Sequence, residues 1–532
     1  MNKLPLFLFA TLLLFSCDQL KKQTEKQPEE ETETKRPNIL FAISDDQSYP
    51  HASAYGCQFV NTPAFDRVAS QGILFNNAFS ASPGCAPSRA ALLTGMNDWQ
   101  IEQAGTHASS FPLKYTVYPD ILENAGYFIG YTHKGWGPGN WEISGRTRNP
   151  AGNAFNSETL EPPFDGVANN NYSANFAEFL QQRPEGQPFC FWYGASEPHR
   201  GFEKGVGLKV GKRLEDVTVP DFLPDTKEVR SDLLDYAVEI EWFDKHLGEM
   251  IQMLEDAGEL DNTIVVVTSD NGMAFPRAKA NLYEYGIHVP MAIMWGDRIA
   301  AGQVIDEPVN LIDLAPTYLA VAENEQHKLT SKYPMEGRNL LPVLVGEENW
   351  KDSLKRKGVY AARERHSSSR WNNLTYPQRA VRTDSFLYIR NFKPERWPAG
   401  APQKYDSEGE LGPMHGGYHD IDGCPTFDFL IENREEPGVS RYFHLSVDKR
   451  PEEELFDIIN DPGCLNNLVM NPDYADTLHA YREKLGGYLM KTGDPRVTGN
   501  GDIYETYIRY SPIRKFPEPE WLKNSPETYY CE

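Results

Sequence analysis

The run NILFAIS at Asn38–Ser44, with Asp45 and Asp46 directly after it, is the strongest structural signal in the chain. A continuous, uncharged apolar run of this length is typical of a strand that is buried on both faces of a parallel sheet. Ligands of such sheets bind beyond the carboxyl ends of the strands. The two acids that follow the run therefore mark a candidate ligand site.

Comparable runs recur farther along the chain, as PFCFWYG from Pro188, TIVVVTS from Thr263 and VPMAIMW from Val289. The patterns between them predict helices over residues 63–71, 118–124 and 230–257, a helix start at Pro87, and extended chain over residues 75–80. Strands that alternate with helices indicate an α/β fold with a doubly wound sheet.

This alternation weakens after residue 345, where Pro, Gly, Tyr and charged residues dominate and extended runs occur at 358–362 and 386–390. We therefore predict a main domain over residues 36–345. A smaller C-terminal α+β subdomain over residues 346–532 would complete its cleft.

The amino terminus has the composition of an export signal. Lys3 precedes an apolar run at residues 4–15, which is too short for a membrane span of about 20 residues. Leu14-Phe15-Ser16-Cys17 resembles a bacterial lipobox, and a polar, charged stretch follows it. We predict a lipoprotein signal peptide at 1–17, lipidation of Cys17 and a flexible tether at 18–35. The protein would then be exported and lipid-anchored in the bacterial cell envelope, in the periplasm or at the outer membrane. An ordinary signal peptide with an incidental cysteine is the alternative.

The formal net charge of −24 over 532 residues argues against nucleic acid as a partner. It also means that an anionic ligand requires a local cluster of Lys, Arg or metal. The chain has seven cysteines. If Cys17 and Cys85 serve other chemistry, the remaining cysteines form at most two disulfides, whose pairing the sequence does not define.

Two acidic clusters follow predicted strands. Asp45 and Asp46 come after the first strand, and Asp270 and Asn271 come after TIVVVTS. Because parallel strands end at the same sheet edge, these four oxygen-bearing side chains can meet around one Ca²⁺ or Mg²⁺. Helix caps and turns are the alternative for each pair taken alone.

The segment CAPSRAALLTG, from Cys85 to Gly95, matches the signature of type I sulfatases. The resemblance implies that a maturation enzyme oxidises Cys85 to formylglycine. The hydrated aldehyde then offers one hydroxyl to attack sulfur and a second to expel sulfate. The resemblance extends through RPNILFAISDDQ, SDNGMAFPRAKANLYEYG from Ser269 and ELFDIINDP from Glu454, and within the family it is closest to the heparan N-sulfatase (sulfamidase) branch. It implies a fold similar to alkaline phosphatase.

The resemblance also assigns roles residue by residue. Cys85 becomes the nucleophile precursor, while Arg89 at the helix start and Lys279 hold sulfate. His199, in EPHR, lies near the leaving oxygen, where an imidazole can donate a proton. The metal ligands are Asp45, Asp46, Asp270 and Asn271.

The chain departs from the family at Thr132-His133-Lys134-Gly135-Trp136, where relatives have GKWH or GKKH. Lys134 is retained as a sulfate ligand, but Trp136 replaces the histidine that helps to release sulfate. Either His133 or another group must take that role.

Substrate recognition is less clear from the sequence. Arg363, Glu364, His366 and Arg379 occur where the second domain should return to the cleft, so they are candidate sugar ligands or members of a solvated loop. His133 is a further candidate for substrate binding. The expected substrate is a sulfated oligosaccharide or polysaccharide, with an O-sulfated algal glycan such as ulvan preferred over N-sulfoglucosamine. A phosphate or phosphonate hydrolase and a non-catalytic glycan-binding lipoprotein are the remaining alternatives.

Overall fold

The computed structural model describes residues 35–324, 327–352, 354 and 358–523. The predicted signal peptide, Cys17 and most of the tether lie outside these residues. The strands are β1 (Asn38–Ser44), β2 (Ile73–Phe79), β3 (Phe128–His133), β4 (Asn153–Ala154), β5 (Phe189–Gly194), β6 (Thr263–Ser269), β7 (His288–Met294), β8 (Gln303–Ile305), β9 (Val309–Asn310), β10 (Val359–Arg363), β11 (Gln378–Arg382), β12 (Phe386–Asn391) and β13 (Glu453–Asp457).

The α-helices in the described residues are α1 (Pro63–Ser70), α2 (Cys85–Thr94), α3 (Tyr118–Asn124), α4 (Tyr172–Gln182), α5 (Val206–Lys209), α6 (Lys227–Asp256), α7 (Glu284–Ile287), α8 (Leu314–Ala322), α9 (Leu341–Leu344), α10 (Pro425–Glu432), α11 (Ser440–Val447), α12 (Ala475–Lys491), α13 (Pro495–Thr498) and α14 (Glu520–Lys523). None of these helices combines the length and hydropathy that a membrane crossing requires.

The larger sheet has the order β4-β3-β5-β1-β6-β7-β2-β8, with β9 also paired to β2. Strand β1 lies between β5 and β6 and is parallel to both, whereas β7 runs antiparallel to β6 and β2. Alternate residues of β1 enter two cores. Ile39, Phe41 and Ile43 belong to one, and Leu40 and Ala42 to the other. Helices therefore cover both faces, and the predicted doubly wound α/β fold is confirmed.

The second sheet has the order β10-β11-β12-β13 and is antiparallel throughout. One face packs on apolar side chains of α12, and the other packs on Phe79 and the segment around Leu282. This is the smaller α+β part that we predicted. The described residues from Arg36 onward belong to one compact unit, and the domain boundary at residue 345 stays a prediction.

Most predicted elements lie within a few residues of the observed ones. Strand β2 starts at Ile73 instead of residue 75, because Ile73 pairs with both Ile293 and Gln303. Helix α2 starts at Cys85, before the predicted Pro87. A proline is tolerated there because the first turn of a helix has no internal acceptor for its amides.

Candidate active site

Cys85 is the first residue of α2, and its side chain is buried at the carboxyl edge of the larger sheet. Gly84 caps the helix in an extended conformation, with φ −159°. Cys85 is 1% exposed, and its Sγ lies 3.2 Å from Oδ1 of Asp45. Burial, and then the charge of Asp45, raises the pKa of the Cys85 thiol well above its ordinary value. The free amides of the helix start favour an anion beside this residue.

The two predicted acidic clusters meet because β1 and β6 are parallel neighbours, with Ser44 paired to Ser269. The backbone amide of Asp46 donates to Oδ1 of Asp270 at 3.2 Å, and Nδ2 of Asn271 donates to Oδ1 of Asp46 at 2.7 Å. All of these side chains are buried. One carboxylate oxygen from each of Asp45, Asp46 and Asp270 lies within 4.8 Å of the others.

This arrangement fits a divalent cation with oxygen ligands. Oδ1 of Asn271 is buried and has no hydrogen-bond partner among the described residues, so one more oxygen remains available. Burial and the charge of Asp45 raise the pKa of Asp270, which shows the repulsion between these acids. A bound cation would relieve that repulsion.

Three basic side chains surround the acids and Cys85. Nε of Arg89 lies 2.7 Å from Oδ2 of Asp270, while its NH2 group is buried with no hydrogen-bond partner in the described chain. Nζ of Lys134 forms an ion pair with Asp45. Although burial alone would raise it, Lys134 and other nearby cations hold the pKa of Asp45 well below its ordinary value.

Lys279 is the third basic side chain, and it joins two acids. Its Nζ lies 2.6 Å from Oδ2 of Asp46 and 3.1 Å from Oδ2 of Asp422. Although burial opposes the charged form, Asp422 and Asp46 raise the pKa of Lys279 well above its ordinary value. Asp422 was not among the residues predicted from the sequence. It lies in a loop without a motif, so only the fold could bring it here.

Two predicted histidines line the site. Nδ1 of His199 donates to the carbonyl oxygen of Arg200 at 2.8 Å, and its Nε2 lies 3.9 Å from Oδ2 of Asp46. Nε2 of His133 lies 3.1 Å from Oγ of Ser196. Burial, and then the charge of Lys134, lowers the pKa of His133 to about 4.

A cavity of about 380 Å³ opens above Cys85 and is also lined by His107, His133, Lys134, Trp136 and His199. His107 is a second residue that sequence reasoning missed, because a lone histidine in QAGTHASS carries no motif. Its Nδ1 is buried with no partner among the described residues. Burial, and then His366, lowers its pKa well below the ordinary value.

Trp136 has a packing role at the position where the family has histidine. Its Nε1 donates to the carbonyl oxygen of Ala86 at 3.0 Å, and its ring contacts Phe111 edge-on at 5.2 Å. The side chain is 3% exposed. An indole nitrogen is a donor only, so Trp136 cannot accept a proton.

The predicted substrate ligands fall into two groups. Nδ1 of His366 lies 2.9 Å from the point that a Cβ on Gly84 would occupy, so His366 is next to the start of α2. Arg363 instead pairs with Asp420 at 2.6 Å.

Arg379 lies between Glu364 and Asp494, at 2.8 and 2.6 Å, and its side chain is fully buried. Arg363, Glu364 and Arg379 are thus held in ion pairs within the second sheet and its surroundings. A substrate-binding role for them stays a prediction.

The described cysteines Cys57, Cys85, Cys190, Cys424 and Cys464 are all free. No disulfide therefore forms among the part of the chain that the structure describes.

Comparison with known proteins supports what the fold and site indicate. The family model described as Sulfatase matches residues 37–324, and the model described as N-sulphoglucosamine sulphohydrolase, C-terminal, matches residues 277–399. The chain therefore belongs to the sulfatase family. Within that family it lies in the sulfamidase-like branch of the type I sulfatases, and it is a sulfuric ester hydrolase. The resemblance seen in the sequence is confirmed.

Two curated relatives are similar over most of their length. An ulvan-active sulfatase from Formosa agariphila is 28% identical over 92% of this chain and 81% of the relative. Human N-sulphoglucosamine sulphohydrolase is 28% identical over 88% of this chain and 93% of the relative. A solved structure, described as bound to its substrate D-glucosamine-2-N,6-O-disulfate, has a TM-score of 0.59 at 21% identity and covers 86% of this chain and 99% of its own. That likeness confirms the alkaline-phosphatase-like fold.

Proposed function

We propose that this sulfatase removes sulfate esters from fragments of a sulfated polysaccharide, through formylglycine formed from Cys85 and a bound Ca²⁺ or Mg²⁺. The observation that carries the proposal is the position of Cys85. It lies at a buried helix start, 3.2 Å from Asp45. Arg89, Lys134 and Lys279 supply positive charge at the same place, on a chain whose net charge is −24. With a divalent cation to offset the nearby carboxylates, such a site would attract one anionic group, while the rest of the surface repels it.

The chain's own cations would hold the sulfate oxygens. The NH2 group of Arg89 is buried without a hydrogen-bond partner among the described residues. The amides of Cys85 and Ala86 precede the first hydrogen bond within α2, which Ser88 donates to Gly84. Asp45, Asp46, Asp270 and Asn271 would hold the divalent cation. When both groups are present, the hydrated aldehyde supplies two hydroxyls and the cation lowers the pKa of the attacking one.

His199 would supply the proton that the departing sugar oxygen needs. The hydrogen bond from Nδ1 to Arg200 fixes the ring, so that Nε2 is the atom which exchanges a proton with the cavity. This nitrogen lies on the Asp46 side of the site.

His107 would accept the proton from the second hydroxyl when sulfate is expelled. Trp136 cannot accept it, and Nε2 of His133 already contacts Ser196. His107 lines the cavity with Cys85, and its ring lies 4.9 Å from that of His366. Burial, then His366 and the charges of Arg509, Lys279 and Lys134, lower the pKa of His107 and keep its imidazole neutral. A sulfate group bound in the cavity would raise that pKa and make the ring a better proton acceptor.

For the substrate, we propose O-sulfate on an algal glycan such as ulvan, which is supported by the relative whose name is ulvan-active sulfatase. N-sulfoglucosamine is the second candidate, supported by the match of residues 277–399 to the sulphohydrolase model. We also propose export and lipid anchoring through Cys17, which would hold the enzyme where oligosaccharides arrive. Maturation would require a formylglycine-generating enzyme as a partner.

The test is sulfate release, measured by ion chromatography, from desalted oligosaccharides of ulvan, carrageenan, fucoidan and heparan. The enzyme is first shown by mass spectrometry to carry formylglycine at position 85. We expect release from ulvan fragments. Release from heparan fragments alone would support the N-sulfoglucosamine alternative. Release from none of the four would contradict the proposed substrate class.

A further inference from the structure

The described chain has a second basic cavity, which shares no lining residue with the Cys85 cavity. It has a volume of about 340 Å³, and its wall includes Arg277, Arg441, Lys449 and Arg450. Arg441 and Lys449 are exposed, whereas Arg277 and Arg450 are buried. A concentration of positive charge on so acidic a chain identifies a place where an anion can bind.

Arg450 is the most unusual side chain in this cavity. It is 8% exposed, yet no described residue accepts a hydrogen bond from its guanidinium or forms an ion pair with it; its Nε and NH2 groups are fully buried. Its contact is with the ring of Tyr283, 5.1 Å from the ring centre. Although burial opposes the charged form, Tyr283, Glu454 and Asp448 raise the pKa of Arg450, so the guanidinium stays charged. Its buried N–H groups nevertheless lack acceptors, which is destabilising unless oxygen atoms of a ligand reach them.

Arg277 lies against the same ring, 4.0 Å from its centre. Two of its nitrogens donate to the carbonyl oxygens of Leu445 and Cys464, but Nε is buried with no partner in the described residues. Burial lowers the pKa of Arg277, and the charge of Arg450 lowers it further. Two guanidinium groups therefore share this cavity and repel each other.

The carboxylate of Glu454 does not neutralise this pair by direct contact. Its oxygens accept hydrogen bonds from Oη of Tyr283 at 2.7 Å and from Nδ2 of Asn391 at 2.8 Å. Asp448 in the cavity wall pairs with His444 at 3.1 Å. Unsatisfied guanidinium N–H groups thus remain, and such groups bind the oxygens of sulfate or carboxylate.

We propose that this cavity is a second anion subsite, which binds a sulfate or carboxylate group of a polyanionic saccharide through Arg277 and Arg450. The choice of a saccharide rests on the proposed function. Arg441 and Lys449 at the rim would attract the anion before it reaches the buried pair. Arg277 and Lys279 lie on one short segment, so the same stretch of chain contributes to both anion sites.

The test is isothermal titration calorimetry on the full chain carrying Cys85→Ala, which prevents turnover. The probes are inorganic sulfate and a heparin-derived tetrasaccharide. Replacing Arg450 by Met keeps an apolar stem of similar length and removes the charge. We expect Arg450→Met to weaken tetrasaccharide binding about tenfold and to remove one sulfate-binding event. The control is Arg482→Met, which removes an exposed arginine that pairs with Glu453.

Equal binding by the Cys85→Ala chain with and without Arg450→Met would overturn the proposal. If Arg450→Met fails to fold, the double variant Arg441→Ala/Lys449→Ala replaces it, because both side chains are exposed and their loss should not disturb folding. We then expect a loss of affinity that becomes smaller at high salt. Loss of inorganic sulfate binding in Arg450→Met without any effect on the tetrasaccharide would support an anion site and overturn the saccharide assignment. Sulfate release by matured enzyme is measured in a separate experiment. If no sulfate is released, the proposed function fails, but the binding data still show whether Arg450 binds an anion.

Discussion

Nε of Arg89 donates to Oδ2 of Asp270 at 2.7 Å across 181 residues of sequence. This bond joins the helix that begins with Cys85 to the loop that ends β6. The nucleophile precursor and the acidic cluster are therefore held as one unit. Because both partners are fully buried, separating them would leave Arg89 with only its longer ion-pair contact to Asp45, at 4.0 Å.

Calcium should stabilise the chelator-treated protein, because it would relieve the repulsion among Asp45, Asp46 and Asp270. At free calcium about 100 times the dissociation constant, the free energy of unfolding rises by about 2.7 kcal/mol. Differential scanning calorimetry measures this without any substrate. Asn271→Ala should reduce the shift, and Asn460→Ala, in an exposed turn, should not. A Tm that neither calcium nor magnesium changes would contradict the cation site.

His107→Ala should block the release of sulfate from the enzyme more than its transfer to the enzyme. We expect kcat to fall about 100-fold or more, and mass spectrometry should detect sulfate retained on the peptide that carries residue 85. His133→Ala is the matched comparison, since both rings line the same cavity. If His133→Ala retains sulfate and His107→Ala does not, His133 is the proton acceptor.

Glu239 on α6 should make the folded chain less stable as pH rises. Both of its oxygens are buried without a partner among the described residues, and burial, then the charge of Glu197, raises its pKa to about 9. Above its ordinary pKa the unfolded chain releases this proton while the folded chain keeps it, so stability falls until the pH reaches the folded pKa. The slope is at most about 1.4 kcal/mol per pH unit.

Glu239→Gln should therefore raise Tm, by an amount that grows between about pH 5 and about pH 9. Circular dichroism melts across that range measure the effect. Glu483→Gln on the exposed face of α12 is the control and should show no such trend. If Glu239→Gln raises Tm by the same amount at every pH, the Glu239 carboxyl is not protonated in the folded chain.

Arg379→Met should unfold more readily because it leaves Asp494 buried without the arginine that pairs with it, whereas Glu364 keeps Arg496 at 2.6 Å. Removing one member of a buried ion pair costs about 3–5 kcal/mol, which urea denaturation measures. Arg390→Met, on the neighbouring strand and exposed, serves as the control. If Arg379 contacts substrate instead, KM would rise while stability changed little.

The sequence was sufficient to predict the sheet because its central strands are buried on both faces and therefore read as unbroken apolar runs. NILFAIS and TIVVVTS both occur as predicted, and their parallel pairing explains why the four predicted metal ligands meet. The antiparallel direction of β7 was not predictable, since VPMAIMW has the same apolar character whichever way the strand runs.

The site was less predictable where single side chains arrive from loops. Asp422 and His107 carry no local pattern, and only the folded chain places them beside Lys279 and Cys85. Arg363 and Arg379 are candidate sugar ligands from the sequence because they occur where the second domain should return to the cleft. The sequence gives no sign that Asp420 and Asp494, which are distant along the chain, pair with them.

The role of Cys85 is tested by comparing matured wild-type enzyme with Cys85→Ala in a sulfate-release assay by ion chromatography, with thermal melts of both proteins. If Cys85 is the nucleophile precursor, Cys85→Ala releases no sulfate and melts within a few degrees of wild type. Appreciable turnover by Cys85→Ala would exclude Cys85 as the nucleophile precursor.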